Sequence, residues 1–311
     1  MTNLHFAQLS DIHISSLGDH HDMLSGRSAG FLRDIITRLN RIDDLDFVLI
    51  TGDLFDVADD WEFRQFQKII PTLQKPTYII PGNHDRHAAN RSEGLTRHDF
   101  ARHFNPQFEQ RPTAPTAQAG YWSIEINPQV QLMGLDSIRD ADWGGIIDTM
   151  QIKWLKNELD SCANKLVIVG VHHPLHRLAR IDDDPDWSNF VCDNGPEVLA
   201  LFDSYPQVKV VLHGHHHLTK ADRLGQRLHF ACPATAIYPC AFRTFRLTHQ
   251  NNTWQIAWKT HNATNDITIA EAQKLMTDAW HEVGFEADFV AEHVALAYGS
   301  NEDRNGSTLL S

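Results

Sequence analysis

The chain reads as a layered α/β protein in which several polar clusters meet at one edge of a sheet. Three observations predict this. Five short runs of β-branched and aliphatic residues have the length and composition of strands. Each run is followed at once by a cluster of carboxylate, imidazole or carboxamide side chains. Between them lie stretches whose apolar residues recur at helical spacing. In layered α/β folds ligands collect beyond the carboxyl ends of strands, so clusters that would be costly in a core become sensible there.

In chain order, Leu4-His5-Phe6-Ala7-Gln8-Leu9 leads into Asp11-Ile12-His13. A helix is predicted from Ser28 to Ile42, with Phe31, Leu32, Ile35, Ile36 and Leu39 on one stripe. Phe47-Val48-Leu49-Ile50 leads into Gly52-Asp53, and Trp61 to Leu73 reads as the next helix. Tyr78-Ile79-Ile80 leads into Gly82-Asn83-His84-Asp85. Tyr121 to Ile126 and Val130 to Leu135, separated by Asn127-Pro128-Gln129, form a hairpin; Thr149 to Cys162 is helical. Leu166-Val167-Ile168-Val169 precedes His172-His173-Pro174, and Val208-Lys209-Val210-Val211-Leu212 precedes Gly214-His215-His216-His217. Arg243 to Leu247 and Trp254 to Trp258 form another hairpin, turning at Asn251-Asn252. Both hairpins are expected in a second sheet.

From Ile267 the character changes. Ile269, Ala272, Leu275, Met276, Ala279, Trp280 and Val283 repeat at helical spacing, Gly284 punctuates, and Phe289, Val290, Val294 and Ala297 resume. Two amphipathic helices and a frayed Ser/Asn/Gly-rich end are predicted. Residues 267–311 thus form an extension on a body of residues 1–266. It either packs on that body, joins two copies in a homo-oligomer, or makes a partial lid.

Asp11/His13 and His215/His217 are i,i+2 pairs. In extended backbone such side chains project to one face, so each pair can converge on one locus. Carboxylate oxygen, imidazole nitrogen and carboxamide oxygen are donors for divalent transition metals. The chain has 20 histidines, and His5, His20, His21, His229, His249, His261, His281 and His293 lack a partner motif; these read as surface or packing residues.

The ordered series, D-x-H, G-D, G-N-H-D, H and G-H-x-H over residues 6 to 217, resembles the calcineurin-like metallophosphoesterase superfamily. The resemblance implies a four-layer αββα sandwich, two mixed sheets face to face with helices outside, and a dinuclear centre at one end. Carried over, one metal is held by Asp11, His13, Asp53 and His217, the other by Asp53, Asn83, His172 and His215, with Asp53 as bridge. His172 fits the pattern better than His173, and His216, at the variable position, is expected to point away. His84 corresponds to a non-ligand histidine near the leaving oxygen, stabilising charge or donating a proton, with Asp85 fixing its imidazole. Two ions about 3.5–4 Å apart lower the pKa of bound water toward about 7 and stabilise attacking and leaving oxygens, which implies a bridging hydroxide as nucleophile. Mixed donors of this kind accept Mn, Fe, Zn or Co.

Departures from related patterns narrow the branch. Asp56 runs into Val57-Ala58 without the Arg-Gly of protein Ser/Thr phosphatases, and Asp56 stands where purple acid phosphatases place a tyrosine ligand. His84 replaces the arginine usual in lipid A-pathway hydrolases. Repair nucleases share Gly52-Asp53-Leu54-Phe55-Asp56 but carry a DNA-capping region, for which little sequence follows the last motif. The stretch from His172 through Asp193-Asn194-Gly195 and a helix to His217 is most similar to bacterial class III cyclic-nucleotide and glycerophosphodiester phosphodiesterases. That implies a small phosphodiester substrate, a cyclic nucleotide first, with a glycerophosphodiester, another phosphoester or a nuclease substrate as alternatives. A metal-dependent binding scaffold is the non-enzymatic alternative.

Composition supports a small ligand. Lys plus Arg total 27 against 40 Asp plus Glu, a formal charge of -13, and no basic cluster offers the counterion release that drives binding of nucleic-acid polymers. Cys162, Cys192, Cys232 and Cys240 have no framework spacing and read as reduced thiols of a cytoplasmic protein. Asp11 arrives too soon for a cleavable signal segment to precede it, and no apolar run approaches the ~20 residues of a membrane span. Three loops could shape the pocket, 15–27, 86–103 and 176–194. In them Arg86 or His87 could meet substrate phosphate and Trp187 could stack on a base, or all three could be solvated.

Overall fold

The computed structural model describes residues 2–86, 94–104 and 120–310. The first part of the chain runs β1 (Thr2–Leu9), α1 (Ser25–Asn40), β2 (Phe47–Ile50), α2 (Asp60–Ile69), β3 (Thr77–Ile79) and α3 (Arg97–Phe104). The middle continues with β4 (Trp122–Asn127), β5 (Val130–Gly134), α4 (Thr149–Ser161), β6 (Leu166–Gly170), α5 (Gly195–Asp203), β7 (Val208–His213), β8 (Lys220–Leu224) and β9 (Arg227–Ala231). The chain ends with β10 (Ala241–Gln250), β11 (Thr253–Asn262), α6 (Asp266–Val283), α7 (Ala287–Tyr298), α8 (Asn301–Arg304) and β12 (Asn305–Leu310).

The strands form two mixed sheets, ordered β12-β11-β10-β1-β2-β3 and β4-β5-β6-β7-β9-β8. In the first, β1, β2 and β3 are parallel and β10, β11 and β12 are joined antiparallel. In the second, β5, β6, β7 and β9 are parallel, with β4 and β8 antiparallel at the edges. Side chains along a strand alternate between faces, and here both faces are buried. Leu4 and Phe6 of β1, with Phe47, Leu49 and Phe245, pack against Val210 and Leu212 of the second sheet, whereas Ala7 and Leu9 face α1 and α2. That explains why the central strands read as nearly continuous apolar runs. Phe6 lies between Phe47 and Phe245 with centroids 4.9 Å away on each side, tying three strands of one sheet together. On the outer faces, α1, α2, α6 and α7 cover the first sheet and α4 and α5 the second. This is the four-layer sandwich that the resemblance implied.

Local chemistry sets the boundaries. Asp59 caps α2 by accepting from the Trp61 and Glu62 N–H groups. Pro71 cannot extend the helix, so it closes at Ile69 with a 3-10 turn, short of the expected Leu73. Asn251 and Asn252 both have positive φ (52° and 59°), the geometry of a tight hairpin turn. Three expectations are corrected. The β10–β11 hairpin extends the first sheet beside β1, and only β4–β5 joins the second. Residues 97–104 of the loop after His84 form α3. The end of the chain is not frayed, because β12 pairs antiparallel with β11 and buries Leu310. An edge strand needs little beyond backbone hydrogen bonds, so its Ser/Asn/Gly-rich composition carried no signal. Among the described residues no helix is long and apolar enough to cross a membrane, and all four cysteines are buried free thiols.

Candidate metal centre

The motifs lie where β1, β2, β3, β6 and β7 end. The loop after β1 runs alongside the loop after β2, with the Asp11, His13 and Ile14 amides donating to Gly52, Asp53 and Leu54 carbonyls at 3.0 Å. The reading of Asp11/His13 and His215/His217 as extended pairs is corrected here. Asp11, His13, Asp53, His215 and His217 all adopt left-handed backbone, with φ between 48° and 65°. Such conformations are uncommon and unfavourable for residues with a Cβ and tend to cluster where function over-determines them. Five of the eleven positive-φ non-glycine residues among those described are candidate ligands. The i,i+2 convergence therefore comes from a tight alternating coil, not a strand.

Two motif glycines make room for that coil. A Cβ on Gly82 would overlap the Asp53 carboxylate, and one on Gly214 would overlap Ser10 Oγ and Asp11 Oδ2. The glycines of G-N-H-D and G-H-x-H are thus dictated by the acid packed against each.

Possible ligand atoms of Asp11, His13 and His217 lie within 4.8 Å of one another, as do those of Asp53, His172 and His215. A third such group, His13, Asp53 and His84, overlaps both surroundings. His172 donates from Nδ1 to the Thr51 carbonyl at 2.7 Å, which leaves Nε2 as the donor atom. That nitrogen is 3.0 Å from Asn83 Oδ1 and 3.3 Å from Asp53 Oδ2. Three lone-pair-bearing atoms converging in a buried space repel unless a proton or cation lies among them. Burial disfavours charge on His172, yet Asp53 outweighs it and lifts the imidazole pKa to about 9. Asp53 itself is held well below the usual carboxylate range: burial opposes this and the surrounding histidines, His172 foremost, prevail. His215 donates from Nε2 to the Asn189 carbonyl at 3.0 Å, freeing Nδ1.

His13 supplies the clearest test of whether a cation fits. Its side chain is 1% exposed, neither ring nitrogen has a hydrogen-bond partner among the described residues, and Nε2 is 3.8 Å from Asp53 Oδ2. Burial and then the proximity of His84 push its pKa down to about 4, so it stays a neutral imidazole with one ring-nitrogen lone pair free for a cation. Asp11 accepts the His215 amide at 3.0 Å and lies 3.4 Å from His217 Nε2. Two carboxylates, four imidazoles and an amide oxygen are a suitable donor set for two divalent transition ions, and hydrogen bonds such as His172–Thr51 fix ring orientation.

The neighbouring histidines separate cleanly. His173 is occupied at both nitrogens, by Ser137 Oγ at 2.9 Å and the Trp143 carbonyl at 3.0 Å. His216 turns to Asp182, Nε2 to Oδ1 at 2.7 Å, and lies face to face with Phe190. It is therefore built into the wall of the site, not turned out to solvent. His84 donates from Nδ1 to the Asp56 carbonyl at 2.7 Å, with the Asp56 carboxylate 3.8 Å away. The orienting role expected of Asp85 is corrected: its oxygens accept the Gly82, Leu54 and Phe55 amides and hold the turn that carries Asn83. Arg86 is buried and paired with Asp136 at 3.1 Å and with Asp140, so it is not free for phosphate. His87 and Arg91 lie outside the described residues.

A cavity of about 420 Å³ opens over the centre. His13, His84 and His217 form its metal side; Trp187 and Phe190 come from the loop before α5, and Met276, Trp280 and His293 from α6 and α7. Trp187 lies parallel to Phe190 (centroids 5.7 Å, 13°) and 5.7 Å from Trp280. The apolar stripes of α6 and α7 therefore do two things, covering the first sheet and walling the cavity. Only the first could be read from their periodicity.

A calcineurin-like phosphoesterase family profile matches residues 4–218, and the chain belongs to that family. It is a metallophosphoesterase, a class that works with two divalent metals. It is 31% identical over 216 residues to a 3',5'-cyclic-nucleotide phosphodiesterase of Nostoc sp., covering 68% of this chain and 70% of that one. It is 26% identical over 234 residues to the glycerophosphodiester phosphodiesterase GpdQ of Enterobacter lignolyticus, covering 74% and 76%. Among solved structures, a dimetal phosphatase from Danio rerio shares the fold, with a TM-score of 0.65 at 15% identity over 84% of this chain and 97% of that one.

Proposed function

We propose that the protein is a phosphodiesterase for small diesters, with 3',5'-cyclic nucleotides as the preferred class. One observation carries this reading: an aromatic cavity of about 420 Å³ with His13, His84 and His217 in one wall. A phosphodiester with a flat base can place its phosphorus at the histidines and its ring among Trp187, Phe190 and Trp280. The volume is at the small end of ordinary ligand pockets, which suits a mononucleotide better than a polymer, as does the charge of -13.

Asp11, His13, Asp53 and His217 would hold one divalent ion; Asp53, Asn83, His172 and His215 the other, with Asp53 shared. Bound there, the pair would supply an activated water and neutralise charge on the phosphoryl oxygens. The remaining chemistry belongs to the side chains. His84, fixed through Nδ1, presents Nε2 toward the cavity side of the centre and, in its imidazolium form, can pass the Nε2 proton to the departing oxygen. Asp85 and the glycines hold Asn83 and Asp53 in place. The aromatic wall excludes water from one side of the substrate. Glycerophosphodiesters form the second reading, favoured by the GpdQ relatives at 26% and 29% identity.

The test is a substrate panel on purified protein with Mn²⁺, Fe²⁺, Co²⁺ or Zn²⁺ added separately. Cyclic AMP, a glycerophosphodiester, bis(p-nitrophenyl) phosphate and p-nitrophenyl phosphate are compared by kcat/KM. Diesters should exceed the monoester, with the cyclic nucleotide first among natural diesters. A monoester turned over faster than every diester overturns the proposal.

A further inference from the structure

A second cluster of histidines lies apart from the centre just described, and no motif points to it. His213 ends β7 and His229 lies on the neighbouring strand β9; β8 places Asp222 directly opposite His229. His176, from the loop after β6, closes over them, its ring centroid 5.0 Å from His229 and 5.9 Å from His213. One possible ligand nitrogen from each of His176, His213 and His229 falls within 4.8 Å of the others.

The hydrogen bonding of these rings is unusual for ordinary packing. His213 and His229 are 0% and 1% exposed, and among the described residues neither nitrogen of either ring has a hydrogen-bond partner. Buried polar atoms are nearly always paired, and an imidazole used only as filler normally finds a carbonyl or hydroxyl. His176 differs in the informative way. Its Nε2 is 3.2 Å from Asp222 Oδ2, while Nδ1 is buried without a partner among the described residues. A carboxylate gripping one nitrogen so that the other is a fixed lone pair is the usual support of a metal-binding histidine. Lys220 also reaches Asp222, at 3.6 Å, and donates to the Leu178 carbonyl at 3.0 Å.

We propose that His176, His213 and His229 form a third metal site, a three-imidazole site for a divalent ion of the zinc class, with Asp222 as the positioning residue for His176. Three neutral nitrogen donors and a fourth position open to water suit Zn²⁺, and Co²⁺ or Ni²⁺ as surrogates. The ion pins the loop after β6 to β7 and β9. That loop continues to Asp182, Trp187 and Phe190, so the site braces the aromatic wall of the cavity from behind.

The experiment counts metal on full-length protein. Apoprotein is titrated with Zn²⁺ alone, freed of loose metal by gel filtration and measured by elemental analysis, for wild type, His176→Ala, His229→Phe and Asp222→Asn. The same His176→Ala change is made in an Asp53→Ala background, where the dinuclear centre is already impaired. In both backgrounds His176→Ala should remove one tight equivalent, and His229→Phe should do the same. Asp222→Asn should weaken that equivalent about 10- to 100-fold. Co²⁺ bound in the Asp53→Ala protein should give a tetrahedral visible spectrum that His176→Ala abolishes. Identical stoichiometry and affinity with and without His176→Ala overturns the proposal. Because His229 is buried its variant can misfold; the half-buried His176 variant then decides alone.

Discussion

Trp187→Ala separates a nucleotide-binding wall from a merely hydrophobic one. The indole is half-buried in a 3-10 turn and contacts Phe190, Trp280 and Phe285, all within 5.8 Å between centroids. Phe190, nearly parallel to it, takes up one indole face, leaving at most one for a substrate base. Truncation therefore removes a single base–aromatic stack, about 1–3 kcal/mol by alanine substitution, equivalent to a loss of about 5- to 150-fold. The assay is kcat/KM for cyclic AMP and for a glycerophosphodiester, with the same metal and pH. The cyclic nucleotide should lose in that range, chiefly through KM, because stacking binds ground state and transition state alike. The glycerophosphodiester, lacking a base, should be almost unaffected. Equal losses on both substrates would mean that the substitution disturbs the metal side instead, and no loss on cyclic AMP would refute the stacking argument.

Other expectations concern the centre and its supports. His84→Ala should lower kcat by about 10²- to 10⁴-fold while metal content, measured by elemental analysis, stays unchanged; lost metal would make His84 a ligand, which its position beside His13 and Asp53 permits. Gly214→Ala forces a methyl group against Asp11 and Ser10, so metal titration should show affinity reduced by about 10- to 100-fold, with about 1–3 kcal/mol of stability lost to overpacking. Asp182 is held below the usual carboxylate range: burial opposes this, and the His216 hydrogen bond outweighs it. A depressed carboxylate contributes stability above its unfolded pKa of about 3.9 that disappears as pH falls through the folded value. Denaturant unfolding of apoprotein should therefore weaken more steeply below pH ~4 in wild type than in Asp182→Asn.

The parts legible in the sequence were those fixed by short-range pattern. Strands such as Phe47–Ile50 are buried on both faces and announce themselves as apolar runs, and the motif at each strand end follows within a few residues. Their convergence was legible; its geometry was not, because side chains two apart can share a face in a strand or in an alternating left-handed coil. The roles of Asp85 and Asp56 could not be told apart, since both follow a candidate ligand by two or three residues and only the fold shows which one meets His84. Trp187, Phe190, Trp280 and His293 come together from segments about 100 residues apart in the chain, beyond any periodicity. His213 and His229 were hidden for a different reason: each is a single histidine in an apolar strand, and their meeting depends on the order β7-β9-β8.

The central claim is that paired metals held around Asp53 carry out diester hydrolysis. Its most direct test is bis(p-nitrophenyl) phosphate turnover by three preparations: metal-reconstituted wild type, the chelated apoprotein, and folded Asp53→Ala with excess metal. Turnover should appear only in the first, with Asp53→Ala reduced to background because both ions would lose the ligand proposed to be shared. Undiminished hydrolysis by the apoprotein or by Asp53→Ala would contradict the account.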